Sequence, residues 1–361
     1  MKGLNFPIFK TKVDGVTKKF KLEDPAERRK YFGAKAGKEI EQLRGYLDAG
    51  NTFVGFLLGP KISGKGTYTK LFMEAVGIEH VAHISVGDIV RSVHKDLLDE
   101  ARKKELVFFL EKRYRGFITI EKAIEIILGR DTKTLLPTEI ILAFVEREID
   151  RLGRKAVFID GFPRDLDQVS FSLYFRALMG YRDDPDFFIF IDVPESVIDE
   201  RIKYRVACPL CQTPRNTRLL RTKDVCYEVS EKKFYLLCDN PNCDGYGQSR
   251  MVAKEGDAFG IEPLRNRIEM DAQVVRKLVD LHGIPKVYLR NSVPVDVVKE
   301  YVDDYEITPA YSYEWDEKLK AVNVIEEPWT IEDDEGKQSY SLLPASVALA
   351  FIKQTASALN L

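Results

Sequence analysis

The sequence predicts an α/β protein of the P-loop, three-layer type, with a five-stranded parallel sheet at its core. Uninterrupted apolar runs at residues 53–58, 156–159 and 187–191 alternate with helical segments along the chain. Such runs are typical of strands that are buried on both faces of a parallel sheet. Shorter strands are expected at residues 80–84 and 286–289. A glycine-rich loop directly after the first run is the third observation, and it predicts a phosphate-binding strand–loop–helix unit.

The loop begins at Gly59 and continues, after four residues, with Gly64-Lys65-Gly66-Thr67, where a helix is predicted to start. Glycines let backbone N–H groups turn toward phosphate oxygens, and the positive end of the helix adds to the field. The lysine supplies a mobile charge for the terminal phosphates, and the threonine hydroxyl can reach a magnesium ion. Because both the strand and the helix fit, the pattern predicts a nucleoside-triphosphate site rather than an ordinary glycine-rich turn.

The composition is ordinary for a globular protein. The 361 residues are 45% hydrophobic and 31% charged, with a net charge of −2, which is enough chain for one large or two medium domains. This near-neutral balance gives no general reason to expect nucleic acid or an anionic membrane as a partner. No apolar run approaches the length of a membrane span, and the first residues lack a signal-peptide core. We therefore expect a cytoplasmic monomer.

The segments on either side of the loop carry less chemistry. Residues 1–50 are expected to be a packing extension, with a short hairpin at 6–20 and one or two helices at 25–47. After the second strand, Asp88 stands at the start of a helix, where capping is the default role. His83 in that strand is expected to be an edge or core histidine rather than a ligand, because no partner spacing accompanies it.

Two later elements place charged side chains near strand ends. Asp160 closes the third strand, and an acid at this position of a P-loop protein is where a second magnesium-binding group lies; helix capping is the alternative role. The fourth strand leads into a helix that carries Arg201 and Arg205. Their i,i+4 spacing puts both guanidinium groups on one helix face.

The five cysteines are clustered within a short part of the chain. Two tight knuckles each hold two thiols on one side of a turn, and together they predict a tetrahedral zinc site. The four predicted ligands are Cys208, Cys211, Cys238 and Cys243. Four protein thiolates leave no open position for catalysis, so the zinc would be structural; unliganded reduced cysteines are the alternative. Cys226 is the odd one out and is expected to be a free thiol.

Taken together, these motifs resemble those of adenylate kinases, nucleoside-monophosphate kinases of the P-loop class with a zinc-bearing lid. The loop at 59–67 matches the family's loop ending in GKGT, and FIDGFPRDLDQ (158–168) matches its DGFPR-x-x-x-Q segment. ISVGDIVR (84–91) is similar to its ISTGD-x-x-R. The remaining similar segments are IDVPESVIDERIKYR (191–205), EPLRNR (262–267) and RNSVPV (290–295).

The resemblance implies a core over residues 51–305 between two extensions. Within that core it implies a helical monophosphate-binding region at 86–152 and a small β lid with zinc at 206–260. The C-terminal extension, 306–361, is acidic and aromatic at first and ends in a predicted helix. We expect this extension to pack on the surface of the domain or on a partner chain.

For the donor nucleotide, the resemblance implies that the loop holds the ATP phosphates, with Arg201 near the base and Arg205 near the phosphates. The residues implied to bind ATP are Ile62, Ser63, Gly64, Lys65, Gly66, Thr67, Arg201, Arg205 and Val293. Asp88 and Asp160 would hold Mg²⁺ through waters. The residues implied to act in catalysis are Lys65, Asp88, Asp160, Arg164, Arg205 and Arg267.

For the acceptor, the resemblance implies that Arg91 and Arg164 bind the monophosphate and that Arg267 bridges the two phosphate groups. Gln168 would bond to an adenine edge, and it favours AMP because the sister kinases for UMP and CMP typically have Asn there. The residues implied to bind AMP are Val86, Arg91, Leu135, Leu136, Pro137, Gly161, Phe162, Pro163, Arg164, Gln168, Lys254 and Arg267.

Several positions depart from the family pattern. Ile62 stands where the loop usually has Gly, and Val86 replaces the usual Thr beside the AMP base. Lys254, or alternatively Arg250, takes the place of a lid arginine, and the span from Asp88 to Thr138 is longer than expected. Ile62 bears on the backbone of the loop, and Val86 bears on base selectivity.

The implied function is reversible phosphoryl transfer from MgATP to AMP, giving two ADP. One alternative keeps the reaction and changes the acceptor to another nucleoside monophosphate, which Val86 favours and Gln168 opposes. Another is a non-catalytic nucleotide-sensing or nucleic-acid-binding protein, which draws on the zinc ribbon and on lid residues such as Arg215, Arg218 and Arg221. The neutral net charge opposes that reading.

Overall fold

A computed structural model describes residues 3–4, 6–116, 118–129, 137–164, 166 and 184–361. Its central sheet is made of β1 (Val54–Leu58), β2 (Val81–Ser85), β3 (Ala156–Asp160), β4 (Asp186–Asp192) and β10 (Lys286–Arg290). The strand order is β10-β4-β1-β3-β2, and every neighbouring pair is parallel. The predicted α/β fold with a five-stranded parallel sheet is therefore confirmed.

Helices cover both faces of this sheet. The helices in the described residues are α1 (Pro25–Asp48), α2 (Lys65–Val76), α3 (Val86–Asp96), α4 (Glu100–Arg113), α5 (Ile120–Leu128), α6 (Thr138–Leu152), α7 (Glu195–Lys203), α8 (Arg265–Val279), α9 (Val298–Tyr301) and α10 (Pro344–Ala358). One core cluster holds side chains of α1, α2, α7 and α10, and the other holds those of α3 to α6 and most of the buried residues of α8. None of these described helices combines the length and the apolar character that crossing a bilayer requires.

The central strand β1 is buried on both faces of the sheet. All of its residues are buried, as expected for a strand with helices on both faces. A Cβ at Gly55 would lie 2.8 Å from side-chain atoms of both Ile189 and Phe158. The glycine thus lets large side chains of the neighbouring strands close over β1. The carboxyl end of β1 opens directly into the glycine-rich loop.

The remaining strands lie outside the central sheet. They are β5 (Arg205–Ala207), β6 (Pro214–Asn216), β7 (Val225–Glu228), β8 (Lys233–Leu236), β9 (Val252–Ala253), β11 (Ser292–Pro294), β12 (Pro309–Asp316), β13 (Ala321–Pro328), β14 (Thr330–Glu332) and β15 (Gln338–Ser341). Strands β5 to β9 build the segment predicted as the lid, residues 206–260. Strands β11, β15 and β14 form a small antiparallel sheet that joins the C-terminal extension to the core.

The predicted hairpin at residues 6–20 is wrong, because no residue of this stretch is in a strand. Instead, the backbone N–H groups of Thr11 and Lys12 donate to the carbonyl oxygen of Tyr301 at 2.9 and 3.0 Å. The segment therefore finds its hydrogen-bond partner almost three hundred residues away along the chain. A local turn pattern carries no information about such a pairing.

A buried polar cluster joins the two extensions. Lys35 Nζ lies 2.8 Å from Glu306 Oε1 and 2.7 Å from Asp303 Oδ2. Thr11 Oγ1 donates a 2.6 Å hydrogen bond to Glu306 Oε2, and the Tyr31 hydroxyl also donates to this carboxylate. The side chains of Lys35 and Glu306 are completely buried. Each charge therefore depends on the other, since an unpaired charge at this depth is strongly destabilising.

The C-terminal helix α10 lies in the core and is not a surface tail. Its Phe351 is 0% exposed, with ring centroids 4.9 Å from Phe72 and 5.0 Å from Phe158. Gln354 also completes the outer edge of the sheet at β10. Its Oε1 accepts from the Tyr288 backbone N–H at 2.9 Å, and its Nε2 donates to the Tyr288 carbonyl at 2.8 Å. The helix thus caps an edge strand that would otherwise leave backbone groups unpaired.

Strands β12 and β13 form a hairpin that packs on the predicted lid. Trp315 stacks on Tyr227 of β7, with ring centroids 4.9 Å apart and an interplanar angle of 23°. Tyr313 packs on Phe234 at 5.6 Å and donates a 2.6 Å hydrogen bond to the carbonyl oxygen of Thr217. The C-terminal extension therefore contacts both the core, through α10, and the lid, through this hairpin.

Replacing Phe351 by alanine tests whether α10 belongs to the core. We expect Phe351→Ala to lower the free energy of unfolding by about 3–5 kcal/mol, because it leaves a cavity between Phe72 and Phe158. Urea unfolding followed by circular dichroism measures this change. Phe259→Ala is the matched control: this ring is 72% exposed, so its loss should change stability by less than about 0.5 kcal/mol. Equal effects of the two substitutions would contradict the assignment.

Candidate active site and metal centre

The loop between β1 and α2 needs glycine at two positions. Gly59 has φ +154°, and a Cβ there would lie 2.7 Å from the carbonyl oxygen of Ile191. Gly64 precedes α2 with φ +101°, and a Cβ there would lie 2.8 Å from the ring of Tyr68. A larger residue at either position would collide with its neighbours as well as adopt an unfavourable backbone. The loop conformation thus follows directly from its sequence.

Ile62 occupies the middle of this loop with φ +68°. A branched side chain in the left-handed region is strained, and such outliers concentrate at functional sites. Contacts with neighbouring residues stabilise this strained conformation. The Ile62 carbonyl oxygen accepts a 3.2 Å hydrogen bond from Arg201 Nη1, and the side chain packs against the main core cluster. The departure from glycine noted in the sequence therefore has a structural consequence.

Lys65 lies inside the loop. Its Nζ donates to the carbonyl oxygens of Gly59 at 2.9 Å and Pro60 at 3.0 Å, and lies 3.7 Å from Asp160 Oδ1. Burial lowers the pKa of Lys65, and the nearby Asp160 carboxylate partly offsets that effect. A buried ammonium held mainly by neutral carbonyls interacts more strongly with an anion that enters the loop.

A cleft of about 660 Å³ opens beside the loop at the carboxyl ends of the strands. In open α/β sheets this edge is where ligands bind. Thirteen of the residues predicted from the sequence line the cleft together: Ile62, Ser63, Gly64, Lys65, Gly66, Thr67, Asp88, Arg91, Asp160, Gly161, Pro163, Arg164 and Arg267. They come from the loop, α3, the segment after β3 and α8, so the fold brings together side chains that are far apart in the chain.

The cleft concentrates positive charge, and one contributor was missed by the sequence analysis. Lys61 lines the cleft, and its pKa is lowered by burial and then by Arg267, Lys254, Arg205 and Arg164. Within the described part of the chain its ammonium forms no ion pair. Lys61 is one of the four unspecified residues of the loop pattern, so its positive charge was the available signal that it could bind a phosphate. A ligand with several negative charges would relieve this mutual repulsion.

Two further residues of the cleft were not assigned from the sequence. Asp271 on α8 has its Oδ2 3.9 Å from Arg267 Nε, and burial raises the pKa of this acid although Lys65 opposes the shift. Its i,i+4 spacing from Arg267 was the available signal. His83 lies on a core strand as predicted, yet it also lines the cleft, and its Nε2 is buried without a hydrogen-bond partner among the described residues. Burial lowers the pKa of His83.

Arg201 and Arg205 lie beside a neighbouring cavity and not in the main cleft. Arg205 makes a two-pronged ion pair with Asp257, with its Nε 2.7 Å from Oδ2 and its Nη2 2.7 Å from Oδ1. Arg201 bonds to the carbonyl oxygen of Ile62. The prediction that both guanidinium groups lie on one helix face is wrong, because α7 ends at Lys203 and Arg205 is the first residue of β5. Arg201 reaches the loop, and Arg205 reaches Asp257 in the segment predicted as the lid.

The other predicted contacts are distributed as follows. Val86 and Phe162 are buried in the core cluster behind the cleft, and Val293 is buried in the other cluster. Pro137 and Lys254 are described but do not line the cleft. Leu135, Leu136 and Gln168 lie outside the described residues.

The cleft has a donor set that fits a magnesium ion. Carboxylate and hydroxyl oxygens are the ligands this hard cation prefers, and it keeps several waters. Asp160 and Thr67 line the cleft on the loop side. Asp88 also lines it and forms an ion pair with Arg91, and both of these side chains are about 70% exposed. Exposed carboxylates of this kind can act on a metal through its bound waters.

The four predicted thiols come together in the lid. All four Sγ atoms lie within 4.8 Å of one another, and the set is Cys208, Cys211, Cys238 and Cys243. The Sγ atoms are 3.8 Å apart for Cys208 and Cys243 and 3.7 Å apart for Cys211 and Cys238. Zinc–sulfur bonds of about 2.3 Å in a tetrahedron place sulfurs about 3.8 Å apart. The cluster therefore has the dimensions of a Cys₄ zinc site, and Cys226 lies outside it.

The protonation of these thiols also fits a cation. The hydroxyl of Thr213, 3.2 Å from Cys211 Sγ, is the main cause that lowers the pKa of this thiol to about 5. Burial instead raises the pKa of Cys238 to about 12. A buried thiol of this kind ionises readily only beside a positive charge such as a metal ion.

Comparison with known proteins places the chain among nucleotide kinases. It is 30% identical over 252 residues to the adenylate kinase of Kosmotoga olearia, an alignment that spans 68% of this chain and 95% of the relative. It is 29% identical over 224 residues to the adenylate kinase of Thermotoga neapolitana, spanning 57% of this chain and 90% of that protein. It is also 29% identical over 154 residues to a probable UMP-CMP kinase of Arabidopsis thaliana, spanning 42% and 48%. No family model matches the chain.

A pair of substitutions at Ile62 tests the backbone strain in the loop. Ile62→Gly and Ile62→Ala both remove the side chain, but only glycine relieves φ +68°. We expect the free energy of unfolding of the glycine variant to exceed that of the alanine variant by about 1 kcal/mol. Lys104 in α4 is the control, because glycine in an exposed helix should be less stable than alanine by about 1 kcal/mol. The same sign at both positions in urea unfolding would contradict the strain.

Proposed function

This chain belongs to the adenylate kinase family, and on that premise we propose that it transfers a phosphoryl group from MgATP to AMP, giving two ADP. The observation that carries the proposal is the shared cleft, in which Lys65, Arg91, Arg164 and Arg267 surround the end of the glycine-rich loop. Phosphoryl transfer needs little covalent chemistry from the protein. It needs the two phosphates to be held in line and their charge to be cancelled.

In the proposed reaction an oxygen of the AMP phosphate attacks the γ-phosphorus of ATP. The bond from that phosphorus to the bridging oxygen breaks, and the electron pair stays with the ADP that leaves. The N–H groups of the loop and Lys65 would hold the donor phosphates, and Arg91 and Arg164 would hold the AMP phosphate. Arg267 would contact both during transfer, because arginine grips phosphate with two parallel hydrogen bonds and stays ionised.

Mg²⁺ bound with ATP would supply further neutralisation of the phosphate charge. Asp160, Asp88 and the Thr67 hydroxyl are the residues that would hold it, since they border the same cleft. Arg205 would join the donor phosphates, for which it would exchange its present partner, Asp257. Closure of the lid would then exclude water and prevent hydrolysis of ATP.

The identity of the acceptor depends on the residues near its base and on the comparisons. The likeness to adenylate kinases and the expected role of Gln168 support AMP, whereas Val86 and the likeness to a UMP-CMP kinase allow another monophosphate. A nucleic-acid-binding role is not supported by the lid arginines. Arg215 pairs with Asp239 at 2.7 Å, and Arg218 pairs with Glu200. We also propose a structural zinc ion in the lid, held by the four clustered thiols.

An assay of ADP formation across AMP, GMP, CMP and UMP tests the acceptor. We expect the largest kcat/KM with AMP, because a purine edge hydrogen-bonded in a closed pocket is discriminated by several orders of magnitude. A higher kcat/KM with CMP or UMP would contradict AMP as the acceptor and would indicate a UMP-CMP kinase. Absence of transfer to all four acceptors would contradict the kinase proposal itself.

Substitution of Arg164 tests the arrangement of the cleft. We expect Arg164→Lys to lower kcat by about 10²-fold, because lysine keeps the charge but cannot grip phosphate with two parallel bonds. Arg154→Lys is the matched control, since its side chain is 71% exposed and lies outside the cleft. Thermal melting should be the same for both variants. Full activity in Arg164→Lys would remove this residue from the proposed chemistry.

Metal analysis of cysteine variants tests the lid site. We expect about one zinc ion per chain in the protein as isolated and in Cys226→Ser, and loss of that zinc in Cys238→Ser, because three thiolates bind far more weakly than four. The melting temperature should fall with the zinc content. Equal zinc contents in the two variants would exclude the proposed ligands.

A further inference from the structure

A second cavity, of about 320 Å³, adjoins the glycine-rich loop. Ile62, Gly64 and Thr67 border both this cavity and the main cleft. A molecule that extends from one into the other would therefore pass along the loop. The walls of the second cavity are mostly apolar, with Leu219, Leu220 and Tyr68 among them. Such a cavity suits an uncharged ring system next to a polyphosphate.

One wall of this cavity comes from the C-terminal extension, which lies outside the part of the chain that resembles adenylate kinases. The residues that it contributes are Thr308, Trp329, Ser341, Leu343 and Pro344. Trp329 is 7% exposed, and its backbone N–H donates to the carbonyl oxygen of Thr308 at 3.3 Å. Trp329 is the aromatic residue among these five, and an aromatic ring in a cavity wall is a surface on which a base can stack.

The extension also covers the loop to which the sequence resemblance assigned the donor base. That loop contains β11, and β11 pairs with β15 of the extension, with Val293 opposite Tyr340. Val293 is 1% exposed and lies in neither cavity wall. The extension has thus taken the place at which this loop would meet the nucleotide.

Arg201 provides the charged side of the cavity, and the extension fixes its position. Its Nη2 lies 3.5 Å from Asn291 Oδ1, and its Nη1 donates to the Ile62 carbonyl. Asn291 is fully buried, and the hydroxyl of Ser341 donates to the same Oδ1 at 2.8 Å. The Asn291 amide donates in turn to the carbonyl oxygen of Leu342 at 3.0 Å. A guanidinium held in this way offers a planar cationic face to a base.

These contacts point to a donor-base site built by the C-terminal extension: we infer that the purine ring of the donor nucleotide lies in the second cavity against Trp329. The extension, and not the loop at 290–295, then determines which base the donor carries. This inference rests on the proposed function for the identity of the ligand as a nucleoside triphosphate. Its test, however, reports binding and does not require turnover.

Fluorescence gives a direct test, because the chain has two tryptophans, Trp315 and Trp329. In Trp315→Phe, Trp329 is the only tryptophan, so excitation beyond the absorption band of tyrosine reports Trp329 alone. The phenylalanine keeps an aromatic ring at the position that stacks on Tyr227. We expect ATP without magnesium to quench this emission saturably, because the base stacks on the indole. AMP should leave it unchanged. Inorganic tripolyphosphate should also leave it unchanged while competing with ATP, since it fills the loop and has no base.

Two results would overturn the inference. One is an unchanged emission when calorimetry shows that ATP is bound. The other is equal quenching by ATP and tripolyphosphate, which would mean that Trp329 senses the phosphates and not the base. Neither result depends on catalysis, so a protein that binds ATP at Trp329 but transfers nothing to any monophosphate would contradict only the proposed function.

Steady-state kinetics extends the test to the active protein. We expect Trp329→Leu to raise the KM for ATP about tenfold and to leave the KM for AMP unchanged, because the variant loses the stacking of the base on an aromatic ring. The ratio of kcat/KM for ATP to kcat/KM for CTP should decrease as well. Trp315→Leu is the matched control, and Thr308→Val is a second cavity variant that keeps the core volume. An unchanged KM for ATP in both folded cavity variants would overturn the inference.

Discussion

Mutual repulsion among cations is the constraint on which the site depends. Lys61, Lys65, Arg164 and Arg267 border one cleft, and burial together with this repulsion disfavours the charged form of Lys61. Among the described residues that line the cleft, the carboxylates of Asp88, Asp160 and Asp271 give partial compensation, and Asp88 is already paired with Arg91. The parallel sheet makes this arrangement possible, because it aligns the strand ends at one edge and covers both faces with helices. A polyphosphate is the kind of ligand that would complete the charge balance of this cleft.

The sequence was sufficient for features whose cause is local. The glycine-rich loop, Asp160 at a strand end and the paired cysteines each follow from spacing within a few residues, and the structure brings those residues together. Features caused by tertiary contacts were missed. Asp271 became a site residue through burial beside Lys65, and the expected hairpin at 6–20 was replaced by bonds to Tyr301. The i,i+4 spacing of Asp271 from Arg267 marks a shared helix face but not the burial beside Lys65, and no pattern in residues 6–20 points to Tyr301.

Both extensions are integral to the core fold. Lys35 and Glu306 form a buried ion pair between the N-terminal helix and the segment that precedes β12, while Phe351 fills a gap between aromatic side chains of the core. The alignments with the two adenylate kinases span only 57% and 68% of this chain. The added segments extend the sheet edge, enclose a second cavity and reach the lid. Their cost in ordering entropy is offset by burial of large aromatic side chains.

The hairpin of β12 and β13 connects the predicted lid to the wall of the second cavity. Its tip side holds the lid through Trp315 and Tyr227, and its two ends run into Thr308 and Trp329, which border the second cavity. Paired strands are stiff along their length, since every residue of the hairpin is matched with one on the partner strand. If the segment at 206–260 closes in the proposed reaction, this hairpin would carry its rotation to the wall of that cavity. Opening of the lid would then also loosen the contacts around that cavity, and release of a ligand would begin at the end farthest from the phosphates.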